Sequence, residues 1–242
     1  MASTLNLGTI LLDGVCVKPG AEYQPGQIIS FDNGNDIQWI IINRLLISAY
    51  PLLCNISWDD LDTQNFVFGK KLTFSGNQFL CRLLKVGERN RVPNEWDTVL
   101  DEIGETDDIQ RWGTIHFWGQ ESVIASNRAI RGYNSANTWI GNGSSIRIWT
   151  WHESSYRRAN LAFRPVLELL ASDNLVLGNR VCAIGGQSIL YGKLVTATIY
   201  DTIIQPESGS IMAAADEGKL YSYLSDGTIA IDRSKVTVQN SV

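Results

Sequence analysis

The 242-residue sequence has little with which to do chemistry. Histidine occurs twice, at His116 and His152, 36 residues apart, and the four cysteines (Cys16, Cys54, Cys81 and Cys182) are scattered with no CxxC pair. That spacing excludes a zinc ribbon or a thioredoxin-like redox site, and two histidines with no nearby Cys or carboxylate pattern make a poor metal set. Each cysteine sits in an apolar, strand-like setting (GVCVK, PLLCNI, FLCRLL, RVCAIG), which favours small buried side chains over disulfides. There is no G-x-S-x-G elbow, and no GK[ST] follows Gly185-Gly186, so neither a hydrolase nucleophile of that type nor a phosphate loop is present. The paired carboxylates Asp59-Asp60 and Asp107-Asp108 are adjacent and point to different sides of any regular element. They read as a helix cap and a solvated loop. No catalytic residue and no cofactor is expected.

Other absences bound the class. The longest apolar runs, such as Trp39–Ile42 and Leu45–Ile47, fall far short of the ~20 residues of a membrane helix, so no membrane insertion is expected. The first residues, MASTLNLGTILLDG, have no basic stretch before the apolar one, so no secretory signal is expected. A net charge of −5 argues against general nucleic-acid binding. Repeats and low-complexity tracts are not evident. With 44% hydrophobic and 19% charged residues, disorder, collagen and coiled coil are excluded. The length fits one large domain, or one domain with a small appendage.

What is present is mostly strand grammar with two helices. Thr9–Val17 reads as a strand with a turn at Asp13-Gly14, and Gln27–Phe31 and Ile37–Ile47 read as a hairpin around Asn33-Gly34. Phe68–Gly87 reads as a second hairpin, turning at Ser75-Gly76-Asn77. Ile56–Phe66 fits a short helix capped by Ser57 with Asp59 and Asp60 in its first turn. PNEWDTVLDEIG carries Trp96, Val99, Leu100 and Ile103 at helical spacing, with Asn94 as cap and Gly104 as stop. Trp112–Gly119 reads as a strand or an aromatic loop. Ala159–Leu170 is apolar and β-like, and Pro165 there points to an edge position or a bulge. After Ala171–Leu175 the character changes: tryptophan is absent, and short strand runs alternate with Gly-containing turns.

Between Arg128 and Arg164 the sequence is unlike the rest. Arg128, Arg131, Arg147, Arg157, Arg158 and Arg164 face a single acid, Glu153, giving +5 here and leaving −10 on the remainder. Tyr133, Trp139, Trp149, Trp151, Tyr156 and Phe163 lie among them, spaced by Asn, Ser, Gly and Thr. Rigid aromatic faces with planar arginine donors are the composition of a binding surface; the alternative is a loop-rich core bridged by arginine. Trp149 and Trp151, if extended, project from one face.

Here the sequence resembles a known family. RGYNSANTWIG, followed by ESSYRRANLAFRPVLELL, is similar to the end of C-type-lectin-like domains in phage and prophage proteins of Gram-positive bacteria, within the broad formylglycine-generating-enzyme/C-type-lectin fold. ISWDDLDTQNFVFGKKLTFSGNQFLCRLLKVG, PNEWDTVL, IQRWGTIHFWGQES and FRPVLEL resemble its opening helix and hairpin, amphipathic helix, tryptophan segment and closing strand, over roughly residues 30–170. The resemblance implies an α+β fold with long display loops, a C-type-lectin-like domain with an N-terminal β-hairpin over 1–171; the tail lies outside it, and its short strand runs read as a small β-rich attachment or oligomerisation module over 172–242. The resemblance implies that Tyr133, Asn134, Asn137, Trp139, Asn142, Arg147, Trp149, Trp151, His152, Tyr156 and Arg157 form the ligand face, with Arg164 structural. It implies a non-enzymatic virion protein made in the host bacterial cytoplasm: a capsid decoration, head fibre or tail tip. Such a protein would bind a host-surface glycan or protein ligand, dock on other virion proteins through 172–242 and form a homo-oligomer. The lectin calcium motifs Glu-Pro-Asn, Gln-Pro-Asp and Trp-Asn-Asp are missing, and Ser126–Leu170 has no Cys, so neither calcium chelation of sugar nor the sulfatase-modifying chemistry of the fold is expected. The alternative is a fold-related enzyme acting on cell-wall glycan or peptide.

Overall fold

The computed structural model describes residues 3–89, 92–103, 115–132, 147 and 149–241. In chain order the strands are β1 (Thr4–Asn6), β2 (Thr9–Leu12), β3 (Val15–Val17), β4 (Ala21–Glu22), β5 (Ile29–Asp32), β6 (Gln38–Ile42), β7 (Leu45–Ser48), β8 (Leu53–Cys54), β9 (Lys70–Phe74), β10 (Asn77–Leu83), β11 (His116–Ser122), β12 (Asn127–Gly132), β13 (Trp149–Glu153), β14 (Leu161–Phe163) and β15 (Pro165–Leu169). Six more follow: β16 (Arg180–Gly185), β17 (Ser188–Ala197), β18 (Asp201–Pro206), β19 (Tyr221–Tyr223), β20 (Ile229–Asp232) and β21 (Thr237–Asn240). The helices among the described residues are α1 (Trp58–Thr63) and α2 (Glu95–Ile103).

The class is mostly β: 49% strand and 7% helix, in four sheets. This corrects the α+β, C-type-lectin-like expectation. Both helices fall where periodicity and capping residues placed them. Ser57 closes a capping box with Asp60, and Asn94 Oδ1 accepts from Asp97 N at 2.9 Å. They are short, however, and the remaining chain pairs as strands across long sequence separations that local pattern does not reveal.

The sheet order explains the apolar runs. The central sheet runs β1-β6-β7-β15-β10-β9. Along β6, Trp39 and Ile41 enter one buried cluster while Ile40 and Ile42 enter another on the opposite face. A sheet covered on both sides needs apolar residues at successive positions, hence WIII. Helix α2 covers one face with Trp96, Val99 and Leu100, and Trp96 meets Phe117 edge-on at 4.7 Å. A second sheet, β13-β12-β11-β14-β8-β4, wraps the same core, and a small one, β3-β2-β5, closes the N-terminal side. The chain passes from the second sheet to the central one at Arg164, between β14 and β15.

Three local readings change. The run around Asn33-Gly34 is not a hairpin: β5 pairs with β2, and β6 with β1 and β7. Asn33 Oδ1 instead accepts from Ser75 N at 2.9 Å, and the tight turn belongs to β6–β7, where Asn43 has φ 54°. Pro165 is not at an edge. It begins β15, between β7 and β10, where a missing N–H ends the ladder without interrupting it. Cys16 is exposed, whereas Cys54, Cys81 and Cys182 are buried and all four are free thiols.

Strands β16–β21 make a separate sheet, ordered β19-β20-β18-β17-β16-β21. Its two faces bury different sets. Cys182, Ile184 and Ile189 join the main cluster, and Val181, Ala183, Leu190, Leu194 and Ile204 form their own. The β17–β18 hairpin lies inside this sheet, so neither of its strands offers a free edge to a neighbour's sheet. The junction with the body is polar. The buried Gln239 amide accepts from Gln78 N at 2.6 Å and donates to Gln78 O at 2.9 Å and to Leu170 O, while Ser172 N donates to Val238 O at 3.1 Å. Gln239→Ala is expected to leave Gln78 N–H and Leu170 O without their side-chain partner at a part-buried junction, lowering stability by about 1 kcal/mol. Urea denaturation would show this as a lower midpoint at unchanged slope.

Candidate ligand-binding face

β13 is the last described strand of its sheet. Its ladder with β12 pairs Arg131 with Trp149, Ala129 with Trp151, Arg128 with His152 and Asn127 with Glu153. Strand alternation therefore puts Trp149, Trp151 and Glu153 on the side of Arg131 and Ala129, toward the α2 cluster. Thr150 and His152 take the side of Ile130 and Arg128, toward the main cluster.

The residues expected to bind ligand separate into three groups. Tyr133, Asn134, Asn137, Trp139 and Asn142 lie outside the described residues. Arg147, Trp149 and Arg157 hold the structure together. Arg147 Nη2 is 2.8 Å from Asp101 Oδ1, and Trp149 Nε1 donates to Gly87 O at 2.8 Å. Arg157 grips Asp60 with Nε and Nη2, both at 2.8 Å. Trp151 is 47% exposed on one side of β13; on the other side the half-buried His152 ring stacks at 4.2 Å and 21° on Tyr156, itself half-buried against the main cluster.

The structure adds residues that spacing did not single out. Arg158 lies 5.7 Å from the Tyr156 ring centroid, and Arg128 lies 4.3 Å from that of Trp58. Phe68, 64% exposed, meets Trp58 edge-on at 6.1 Å. The result is a band of aromatic rings and cations from α1 to β13. Trp58 and Phe68 come from a helix start and a loop about 60 to 90 residues upstream of the basic segment, so only the fold brings them in. The other arginines are internal. Arg131 is 1% exposed and donates to Val86 O at 3.1 and 3.0 Å; Arg164, also 1% exposed, donates to Ser48 O at 3.1 Å and Ala49 O at 2.5 Å.

The electrostatics follow from burial and pairing. Burial lowers the pKa of His116, helped by His152, and that of His152, helped by Arg158, so the folded protein favours both imidazoles neutral. Burial pushes the Asp60 carboxyl up, but the bonds from Arg157 and Ser57 outweigh it and hold its pKa below the ordinary range. No group of three or more His, Cys, Asp or Glu able to share a metal ion occurs among the described residues. A cleft of about 990 Å³ lies between α2, the β6–β7 turn and the C-terminal sheet. Its most buried cation, Arg82, is matched by Glu95 at 2.7 Å and Glu168 at 3.1 Å.

No protein-family model matches the chain, and no curated protein or solved structure is significantly similar to it.

A carboxyl whose folded pKa is depressed contributes stability that is present above its unfolded value, ~3.9, and is lost as pH falls through the folded value. Asp60→Asn is therefore expected to be less stable than the parent at pH 7, with the gap closing below about pH 4. Urea midpoints at pH 7, 4, 3 and 2 check this; a gap that stays constant with pH would assign the loss to packing.

Proposed function

We propose that the chain is a non-enzymatic adhesion or decoration protein of a bacteriophage virion, and that the face around β13 takes up a host-surface ligand. The observation that carries the binding part is β13, the last described strand of its sheet, which holds Trp151 47% exposed on one side and the half-buried His152–Tyr156 stack on the other. Rigid rings held there by the sheet offer contact area at small entropic cost. The virion part rests on the likeness of RGYNSANTWIG and FRPVLEL to phage proteins and not on the architecture. Attachment to neighbouring virion proteins, or to further copies of the chain, falls in this reading to the C-terminal sheet. Its β17–β18 hairpin holds Ile199 and Tyr200 79% and 72% exposed.

The geometry favours binding over cell-wall hydrolysis. The only acid of the basic segment, Glu153, and its neighbour His152 project to opposite sides of β13, so they do not converge on one reacting atom.

Purified protein is expected to bind host cells, and Trp151→Ala with Tyr156→Ala is expected to abolish that binding while circular dichroism and the melting temperature stay near the parent's. Binding undiminished in a folded double variant would remove the site. Turnover of a wall glycan or peptide, lost in Glu153→Gln, would replace the proposal with an enzyme.

A further inference from the structure

The six arginines of the basic segment do not stand in equivalent surroundings. Arg131 is 3.3 Å from Asp97, Arg147 contacts Asp97 and Asp101, and Arg157 is clamped on Asp60. Arg164 is buried against the Ser48 and Ala49 carbonyls. Arg128 and Arg158 have no carboxylate partner among the described residues. Arg128 Nη1 reaches only the carbonyls of Ala125 and Asn127, at 3.0 and 3.2 Å, and its buried Nε has no hydrogen-bond partner. Arg158 is exposed against Tyr156. An aromatic ring attracts a cation without neutralising it, so both charges stay available.

These two cations belong to one patch. Arg128 is directly across the ladder from His152, and Arg158 leans on Tyr156, which stacks on His152. His116 pairs with Gly132, which by alternation shares the Arg128 side of β12, and its buried Nδ1 has no partner. Glu153 alternates to the opposite side with Trp151. The patch thus combines two guanidinium groups with no carboxylate partner among the described residues, a buried imidazole nitrogen and the exposed ring of Phe68 at its border, while Trp151 lies on the other side of β13.

We infer that this patch is an anion-binding subsite, with Arg128 and Arg158 on either side of the His152–Tyr156 stack, and that the ligand it takes is an acidic glycan. The inference rests on the binding reading above for the ligand being a surface polymer. The preference for negative charge rests on the two arginines alone. Guanidinium forks suit carboxylate or phosphate groups, while the exposed rings pack against the apolar faces of sugar rings. The −10 carried by the rest of the chain repels dense polyanions at long range, which favours a polymer with spaced charges over nucleic acid.

The test is titration calorimetry of the full chain with three probes: oligogalacturonate, its neutral methyl ester and a glycerol-phosphate oligomer. At low salt at least one anionic probe is expected to bind roughly ten-fold or more tightly than the ester. The carboxylate and phosphate arms tell the two sources of charge apart. Arg158→Gln should remove most of that preference and Arg158→Lys should keep it. Arg128→Gln should act the same way, with melting temperature reporting any loss of packing on Trp58. Equal affinity for charged and neutral probes, or a preference that survives both Gln variants, overturns the subsite. So does failure of all three probes to bind. Host-cell binding, lost in the Trp151 and Tyr156 variant, judges the adhesion reading separately, so the two can fail independently.

Discussion

The central sheet carries apolar side chains on both faces along β6, β7 and β15, and a sheet in that condition has to be covered twice. The other elements follow from that demand. α2 lies across one face with Trp96, Val99 and Leu100, and Phe117 and Ala129 of the second sheet complete that cover. Trp118, Ile130, Leu161 and Phe163 from the same second sheet help to close the other face. Because β11, β12 and β14 are fixed by this double role, β13, which among the described residues pairs with β12, comes out at the margin. The position of the candidate face is a consequence of how the core is closed.

The same demand decides what most of the arginines do. Where the chain changes sheets or leaves a ladder, backbone carbonyls face inward without strand partners. Arg131 and Arg164 supply several donors each from a rigid fork to Val86, Ser48 and Ala49. Burial lowers the Arg164 pKa well below its ordinary value, a cost borne because the alternative is unsatisfied carbonyls in the core. A positive segment that reads as one binding tip is therefore two populations. Four arginines serve the fold, and two keep their charge toward solvent.

Legibility in the sequence followed range. Signals confined to a few residues were readable: the Ser57 capping box, the Trp96–Ile103 spacing, and the turns at Asp13-Gly14 and Ser75-Gly76. Signals that depend on distant partners were not. The Asn33-Gly34 turn has hairpin composition, yet its flanking strands join different sheets, because β5 finds β2 and β6 finds β7. The parallel pairing of β4 with β8 and of β11 with β14 has no local signature at all, and with it went the fold class. At the site, composition could not separate the exposed Trp151 from Trp149, Arg147 and Arg157, whose internal partners are Gly87, Asp101 and Asp60, or from Tyr156, which packs partly on the core.

A terminal strand is a poor place for catalysis and a good one for recognition. Successive side chains on β13 diverge, so groups that must meet at one atom are held apart, as Glu153 and His152 are. The same divergence lets one short strand serve two surfaces. Trp149 and Trp151 extend the α2 side, and His152 builds, with Tyr156 and the arginines beside it, the side facing α1. The first is anchored through Trp149 to Gly87, and the second through Asp60, which ties Arg157 to the first turn of α1. Each outward ring thus stands next to an inward bond in the same short stretch of chain. That pairing holds the rings in place on the last described strand of the sheet, and a face held in this way loses little conformational freedom on contact with another surface.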